Sequence, residues 1–270
     1  MALSFTFGLA ALAALVPAAF APFREKPGGE GARWALLVLA VAGPTLWSLS
    51  LFSGQWRADF AVALWLSISA SLVCFLLLCL LQAQAKALAP LLLPYLFVLG
   101  VAAMLFETQG VNGEGVDGAA GITPSIWVIV HIASSVATYA LVTLAAVAGL
   151  SVFLGERALK RKVSNRLVAI LPSIMDAERL QVRLLTGALI VLVAGLLSGV
   201  VLELRETGRV LIADHKTILS LGALVVIAGI LFAHAKSGMR GRAAARVVLM
   251  AYLLLTLAYL GVKFVTDVLI

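Results

Sequence analysis

Eight stretches of this chain are apolar over enough residues to cross the hydrocarbon core of a bilayer, for which about 20 helical residues are needed. They run near 2–22, 33–53, 59–82, 89–106, 124–154, 180–203, 209–235 and 245–268. No other feature constrains the fold as much. Hydrocarbon offers no partner to backbone N–H and C=O groups, and a helix satisfies them within one segment. The composition agrees, with 63% hydrophobic and 12% charged residues and a mean hydropathy of +1.10, against about half apolar and a quarter charged in a soluble domain. The expected fold is an all-α membrane protein, a bundle of about eight transmembrane helices forming a single transmembrane domain over 1–270. Span 89–106 is the shortest, and Pro90 and Pro94 suit a helix start. Pro44 falls inside the second span and is expected to kink it.

The first span ends in AAFA before Pro22, a plausible cleavage sequence. Signal peptides carry positive charge ahead of the apolar run, however, whereas Arg24, Lys26 and Arg33 follow it here, so the span is expected to stay. Orientation follows from Lys and Arg. Alternate loops are basic: 23–32 with its flank (Arg24, Lys26, Arg33), 83–88 (Lys86), 155–179 (Arg157, Lys160, Arg161, Lys162, Arg166, Arg179) and 236–244 (Lys236, Arg240, Arg242). In the other set, 54–58 has only Arg57, while 107–123 has Glu107, Glu114 and Asp117 and no base. The basic loops are therefore expected in the cytoplasm and both termini on the outer (periplasmic) side. The segment 155–179 sets Leu159, Val163, Leu167 and Ile170 at helical spacing beside basic residues, and is expected to lie along the cytoplasmic lipid surface.

The net charge of +7 is accounted for by this loop asymmetry, and no basic stripe carries interleaved aromatics, so nucleic acid is not expected as a partner. The lipid bilayer is. Cys74 and Cys79 are five apart within an apolar segment and form neither a CxxC pair nor a metal site.

The stretch LIADHKTILS (211–220) sets Asp214, His215 and Lys216 at the start of an apolar run. If that helix starts near Arg209, His215 lies about 9 Å in at 1.5 Å per residue, and by the same rise His131 lies roughly 10 Å below Pro124 on the fifth span. Two histidines on two helices thus share one depth. His234, at the opposite end of the seventh span, is read as structural. Ionisable residues inside a membrane are costly and point to function. Two readings stand side by side. His131 with Ser134, Ser135 and Thr138 could be interhelical hydrogen-bonding residues, or His131 and His215 could hold haem iron from its two faces. Under the second reading, Asp214, Ser135 or a carbonyl could accept the other ring N–H. Lys216, Arg205 and Arg209 could meet the propionates, and Lys216 could equally pair with Asp214. Trp127, one turn above His131, could pack on a porphyrin or belong to the interfacial aromatic belt. Gly195 and Gly199 in GLLSG permit close helix approach.

The segment IWVIVHIASSVATYALVTLAAVAGLSVFLGERALKRK, followed in order by LPSIMDAERL, LLSGVV, ADHKTILSL, HAKSGMRGR and LAYLGVKFV, resembles the integral-membrane cytochrome c assembly family that includes CcsA and the HemX/YpjD-like proteins. The resemblance covers roughly 124–268; the first four spans match only in general character. It implies a haem-binding (haem b) protein of the bacterial inner (plasma) membrane. It also implies a role in cytochrome c maturation beside other maturation proteins, with the family's paired histidines carried onto His131 and His215. Haem-presenting members carry a tryptophan-rich external segment ending in WxWDPKE. Here the corresponding stretch is GRVLIADHK, and the GWRGR of close relatives is GMRGR at 238–242. The resemblance is therefore to the HemX/YpjD-like branch, which implies a non-catalytic accessory factor rather than the haem lyase.

Two other classes were weighed. A membrane transporter or exporter of haem or another small molecule lacks the expected paired Gly/Pro-broken spans in two matching halves. The other is a membrane oxidoreductase, for example of thiols or quinones, and the cysteine placement argues against the thiol version.

Overall fold

The computed structural model describes residues 2–23, 29–52, 60–107, 126–162, 165–207, 215–238 and 241–265. All regular structure among them is helical. The long helices are α1 (Ala2–Phe20), α2 (Glu30–Phe52), α3 (Phe60–Leu81), α4 (Ala89–Glu107), α5 (Ile126–Arg161), α7 (Ile174–Thr207), α8 (His215–Ser237) and α9 (Gly241–Thr256). Between α5 and α7 lies the five-residue α6 (Arg166–Ile170). After α9 a π-helical segment, Leu257–Gly261, runs into α10 (Val262–Phe264). Among the described residues, eight helices are long and apolar enough to cross a membrane.

Each expected span has its helix, with shifted ends. Helices α5 and α7 are 36 and 34 residues long, well beyond the roughly 20 needed to cross. Segment 155–179, expected to lie along the lipid surface, holds the end of α5, all of α6 and the start of α7. Pro172 follows α6 and cannot extend it. The Ser173 hydroxyl then starts α7 by accepting the Asp176 N–H at 3.2 Å while donating to the Asp176 carboxylate at 2.6 Å, an N-terminal cap. Helix α2 runs unbroken through Pro44. Pro90 is the second residue of α4, as expected of a helix start, whereas Pro94 lies inside it.

Helices α1–α4 pack together, and α5 sits between them and α7, α8 and α9, touching α3, α7 and α9 extensively. Small side chains set some of these approaches. A Cβ on Gly43 of α2 would stand 2.9 Å from that of Ala14 on α1. Between α2 and α3, Ser69 Oγ donates to the Pro44 carbonyl at 2.9 Å, and Ser48 and Ser69 hydroxyls meet at 2.7 Å, the kind of polar tie that joins helices in lipid. Trp65, Leu72, Phe75, Leu92 and Leu96 are fully buried in the core. Leu80, Val98, Ile190, Val225 and Leu253 are exposed on the outside, as a lipid-facing surface requires.

Two aromatic clusters join the halves of the bundle. Phe60 (α3), Phe106 (α4) and Phe264 (α10) meet edge to face, with ring centroids 5.3–5.5 Å apart. Deeper, the hydroxyls of Tyr95 (α4), Tyr139 (α5) and Tyr252 (α9) close a three-membered hydrogen-bonded ring, with Tyr139 and Tyr252 2.9 Å apart, Tyr95 and Tyr139 3.4 Å apart, and a close contact between Tyr95 and Tyr252. Tyr259 packs its ring 5.8 Å from that of Tyr139, so all four tyrosines of the chain share one cluster.

The basic loops do meet at one end. Arg242, opening α9, lies 3.5 Å from Glu156 near the end of α5. The Gly241 N–H donates to Glu178 of α7 at 2.6 Å. Lys86 lies 3.3 Å from Glu30 at the start of α2 and 4.2 Å from the centre of the Trp34 ring.

Candidate functional site

His131 is the sixth residue of α5 and half-buried, at the α5–α7 contact. Its Nδ1 lies 3.1 Å from the Gly195 carbonyl oxygen and 3.2 Å from Ser198 Oγ, both on α7. Ser198 Oγ in turn donates to the Gly195 carbonyl at 2.8 Å. A carbonyl only accepts, and the Ser198 proton is spent on it, so the hydrogen must sit on Nδ1 and be shared between the two oxygens. This fixes the tautomer and leaves Nε2 as the basic ring atom.

The glycines of GLLSG make room for this. A Cβ on Gly199 would lie 3.0 Å from His131 Cε1 and 3.3 Å from Nδ1, and one on Gly195 would lie 3.1 Å from Ser134 Oγ. The imidazole therefore lies against bare α7 backbone. Ser134 and Thr138 are not interhelical ties: Ser134 Oγ donates to the His131 carbonyl at 2.9 Å and Thr138 Oγ1 to the Ser134 carbonyl at 2.8 Å, both within α5.

His131 lines a cavity of about 650 Å³ between α5, α7, α8 and the end of α9. From α5 come Ser135, Thr138 and Tyr139; from α7, Gly195, Gly199 and Glu203; from α8, Thr217 and Ser220; and from the π-helical segment, Tyr259. Val193, Leu197 and Leu221 line the cavity and are 41%, 63% and 38% exposed, so it opens sideways between α7 and α8, toward lipid.

Of the residues expected at the site, His131 and Ser135 come together on the cavity wall. The acceptor for the second ring nitrogen of His131 is a carbonyl, assisted by Ser198. Trp127 is not among the cavity residues; its ring lies 5.3 Å from the Arg205 guanidinium, which engages that cation where α5 begins and α7 ends. His215 and Lys216 open α8, two residues and one residue ahead of the cavity residue Thr217. Their side chains, and Arg209 and Asp214 altogether, lie outside the described residues. Sequence reasoning missed Glu203, Thr217, Ser220, Tyr259 and Ser198. For Thr138 and Ser135 the signal was present, since they follow His131 at i+7 and i+4 on one helical face.

The volume lies within the roughly 300–1,000 Å³ usual for cofactor pockets. Among the described residues no three His, Cys, Asp or Glu side chains gather into a metal centre. A histidine that offers one oriented nitrogen in a largely apolar cavity suits a metal that arrives with its own equatorial ligands, and haem is such a group. The site residues fit it on that ground.

The comparisons with known proteins bear on the whole chain. The model of the family described as "Cytochrome C assembly protein" matches residues 34–270. Over 276 residues, covering 100% of both chains, the protein is 48% identical to the "Uncharacterized 28.8 kDa protein in nifR3-like 5'region" of Azospirillum brasilense. No solved structure matches. The fold and the site define a multi-pass, all-helical membrane protein with a histidine-bearing cavity. The chain belongs to the cytochrome c assembly family, which points to a role in cytochrome c maturation.

Proposed function

We propose that this protein binds haem b in the cavity, with His131 and His215 as axial ligands. In this reading it acts in the bacterial inner membrane as an accessory factor of cytochrome c maturation, not as the lyase. The observation that carries the reading is the His131 ring, held by the Gly195 carbonyl and Ser198 on one side while the same residue lines a 650 Å³ cavity. Metal-bound histidines almost always tie off their second nitrogen in this way, which raises the ligand's basicity and fixes the ring plane. His215, at the start of α8, would supply the second ligand. Ser135 lines the cavity beside His131; Asp214 would accept the other ring N–H of His215, and Lys216, Arg205 and Arg209 would neutralise the propionates. When bound, haem would supply the iron and the vinyl groups that become thioethers in cytochromes c. The chain's own part is to hold and orient it, with the α7 backbone excluding water from one face of His131. The accessory role follows from the GRVLIADHK stretch at 208–216, which has no tryptophan with which to present that edge.

The absorption spectrum of the detergent-purified protein tests the site. A Soret band of low-spin haem is expected, weakened or changed by His131→Ala or by His215→Ala and nearly intact in His234→Ala. An unchanged spectrum in both of the first two variants rules out joint ligation. For the role, haem-stained membranes of a deletion strain are compared after complementation with wild type or with the His131/His215 double alanine variant. Equal restoration by both would sink the haem reading.

A further inference from the structure

A second, smaller cavity of about 140 Å³ lies at the basic end of the bundle, between the turn that joins α3 to α4 and the first turns of α7. Its wall is mostly polar: Gln82 and Gln84 come from the turn, and Asp176, Arg179 and Arg183 from α7. The arginines are four residues apart, so they leave α7 on one face, a turn apart. Arg183 falls inside the apolar stretch that starts near residue 180. Arginines so placed can lay their stems along hydrocarbon while the charged heads reach the headgroup level.

The pair is neutralised only in part from within. Asp176 lines the same cavity and keeps its charge while accepting the Ser173 hydroxyl hydrogen at 2.6 Å, and neither arginine forms an ion pair among the described residues. Other charges at this end are spent differently: Lys86 is paired with Glu30 and Arg242 with Glu156. Two exposed arginines, two glutamines and one aspartate thus line a small polar cavity with net positive charge.

We propose that this cavity is a binding site for a phosphate group, carried by an anionic phospholipid headgroup or present as the free ion. Planar guanidinium forks match phosphate oxygens bidentately, and the amide NH₂ groups of Gln82 and Gln84 can donate to the remaining oxygens. Basic pockets between membrane helices are suited to anionic headgroups. This inference is independent of the haem reading.

The full-length protein in detergent is titrated with phosphatidylglycerol, phosphatidylcholine or inorganic phosphate. Lipid retention is read by native mass spectrometry and phosphate by thermal shift. Phosphatidylglycerol retained over phosphatidylcholine, and not displaced by excess phosphate, assigns the site to a lipid headgroup. Stabilisation by phosphate without a lipid preference assigns it to the free ion. In either case Arg179→Gln/Arg183→Gln should weaken the effect about tenfold, whereas Lys160→Gln/Arg161→Gln, which removes the same charge from the end of α5, should leave it intact. Equal loss in both double variants would mean a diffuse charge effect and overturn the site, as would no binding of either probe. Should the glutamine variant fail to fold by gel filtration, Arg179→Lys/Arg183→Lys decides. It keeps the charge and loses the fork, and must bind several-fold more weakly; undiminished binding overturns the proposal.

Discussion

The position of His131 depends on an atom that is absent. Gly199 has no Cβ, and a methyl there would lie 3.0 Å from Cε1 of the imidazole, tighter than ordinary contact, against a ring already held by the Gly195 carbonyl. Gly199→Ala should therefore tilt His131 and weaken haem binding several-fold in a haem titration. Gly187→Ala, on the same helix and 3.9 Å from Leu141, should bind as wild type does. Equal affinities for all three proteins would show that the ring is not constrained by α7. The sequence made His131 conspicuous because charge-bearing rings are rare in apolar spans. It could not show the tie to Gly195, 64 positions away, since a backbone carbonyl leaves no mark in side-chain identity. Nor could Glu203 be assigned to the cavity, because an acid near the end of a span looks like an interfacial residue until its neighbours are known.

At the scale of elements, the start of α9 shows how a helix end is fastened at the basic face. Gly238 and Gly241 both have positive φ, +65° and +67°, where any side chain is strained. Only the surroundings differ: nothing lies within 4 Å of a Cβ on Gly238, while one on Gly241 would run into the Glu156 carboxylate. Gly238→Ala should cost about 1 kcal/mol. Gly241→Ala should cost more, since it also disturbs the Glu156–Arg242 pair and the Glu178 bond to the Gly241 N–H. Thermal melts in detergent check the order, and equal losses would mean that Glu156 simply moves aside. The existence of the eight spans was legible from apolar run length alone. Their ends were not. Helix α5 continues through Glu156, Arg157, Lys160 and Arg161, because charged residues with good helix propensity do not stop a helix that has already left hydrocarbon.

For the whole molecule, orientation is the first question, and the convergence of Lys86, Arg242 and the ends of α5 and α8 on one face makes it a single choice. With the basic face in the cytoplasm, a cysteine at Arg161 should resist a membrane-impermeant thiol reagent in intact cells and one at Gly113 should react. The opposite pattern inverts the molecule. The tyrosine ring bears on how such a molecule can move. Its three hydroxyls come from α4, α5 and α9, up to 157 positions apart, which is why no reading of the chain could have joined them. In hydrocarbon their hydrogen bonds have no water to exchange with. Rocking α1–α4 against the rest would strand these phenols together, so the ring works as a clutch held in gear. Helices α7 and α8, which line much of the large cavity, contribute no hydroxyl to that clamp.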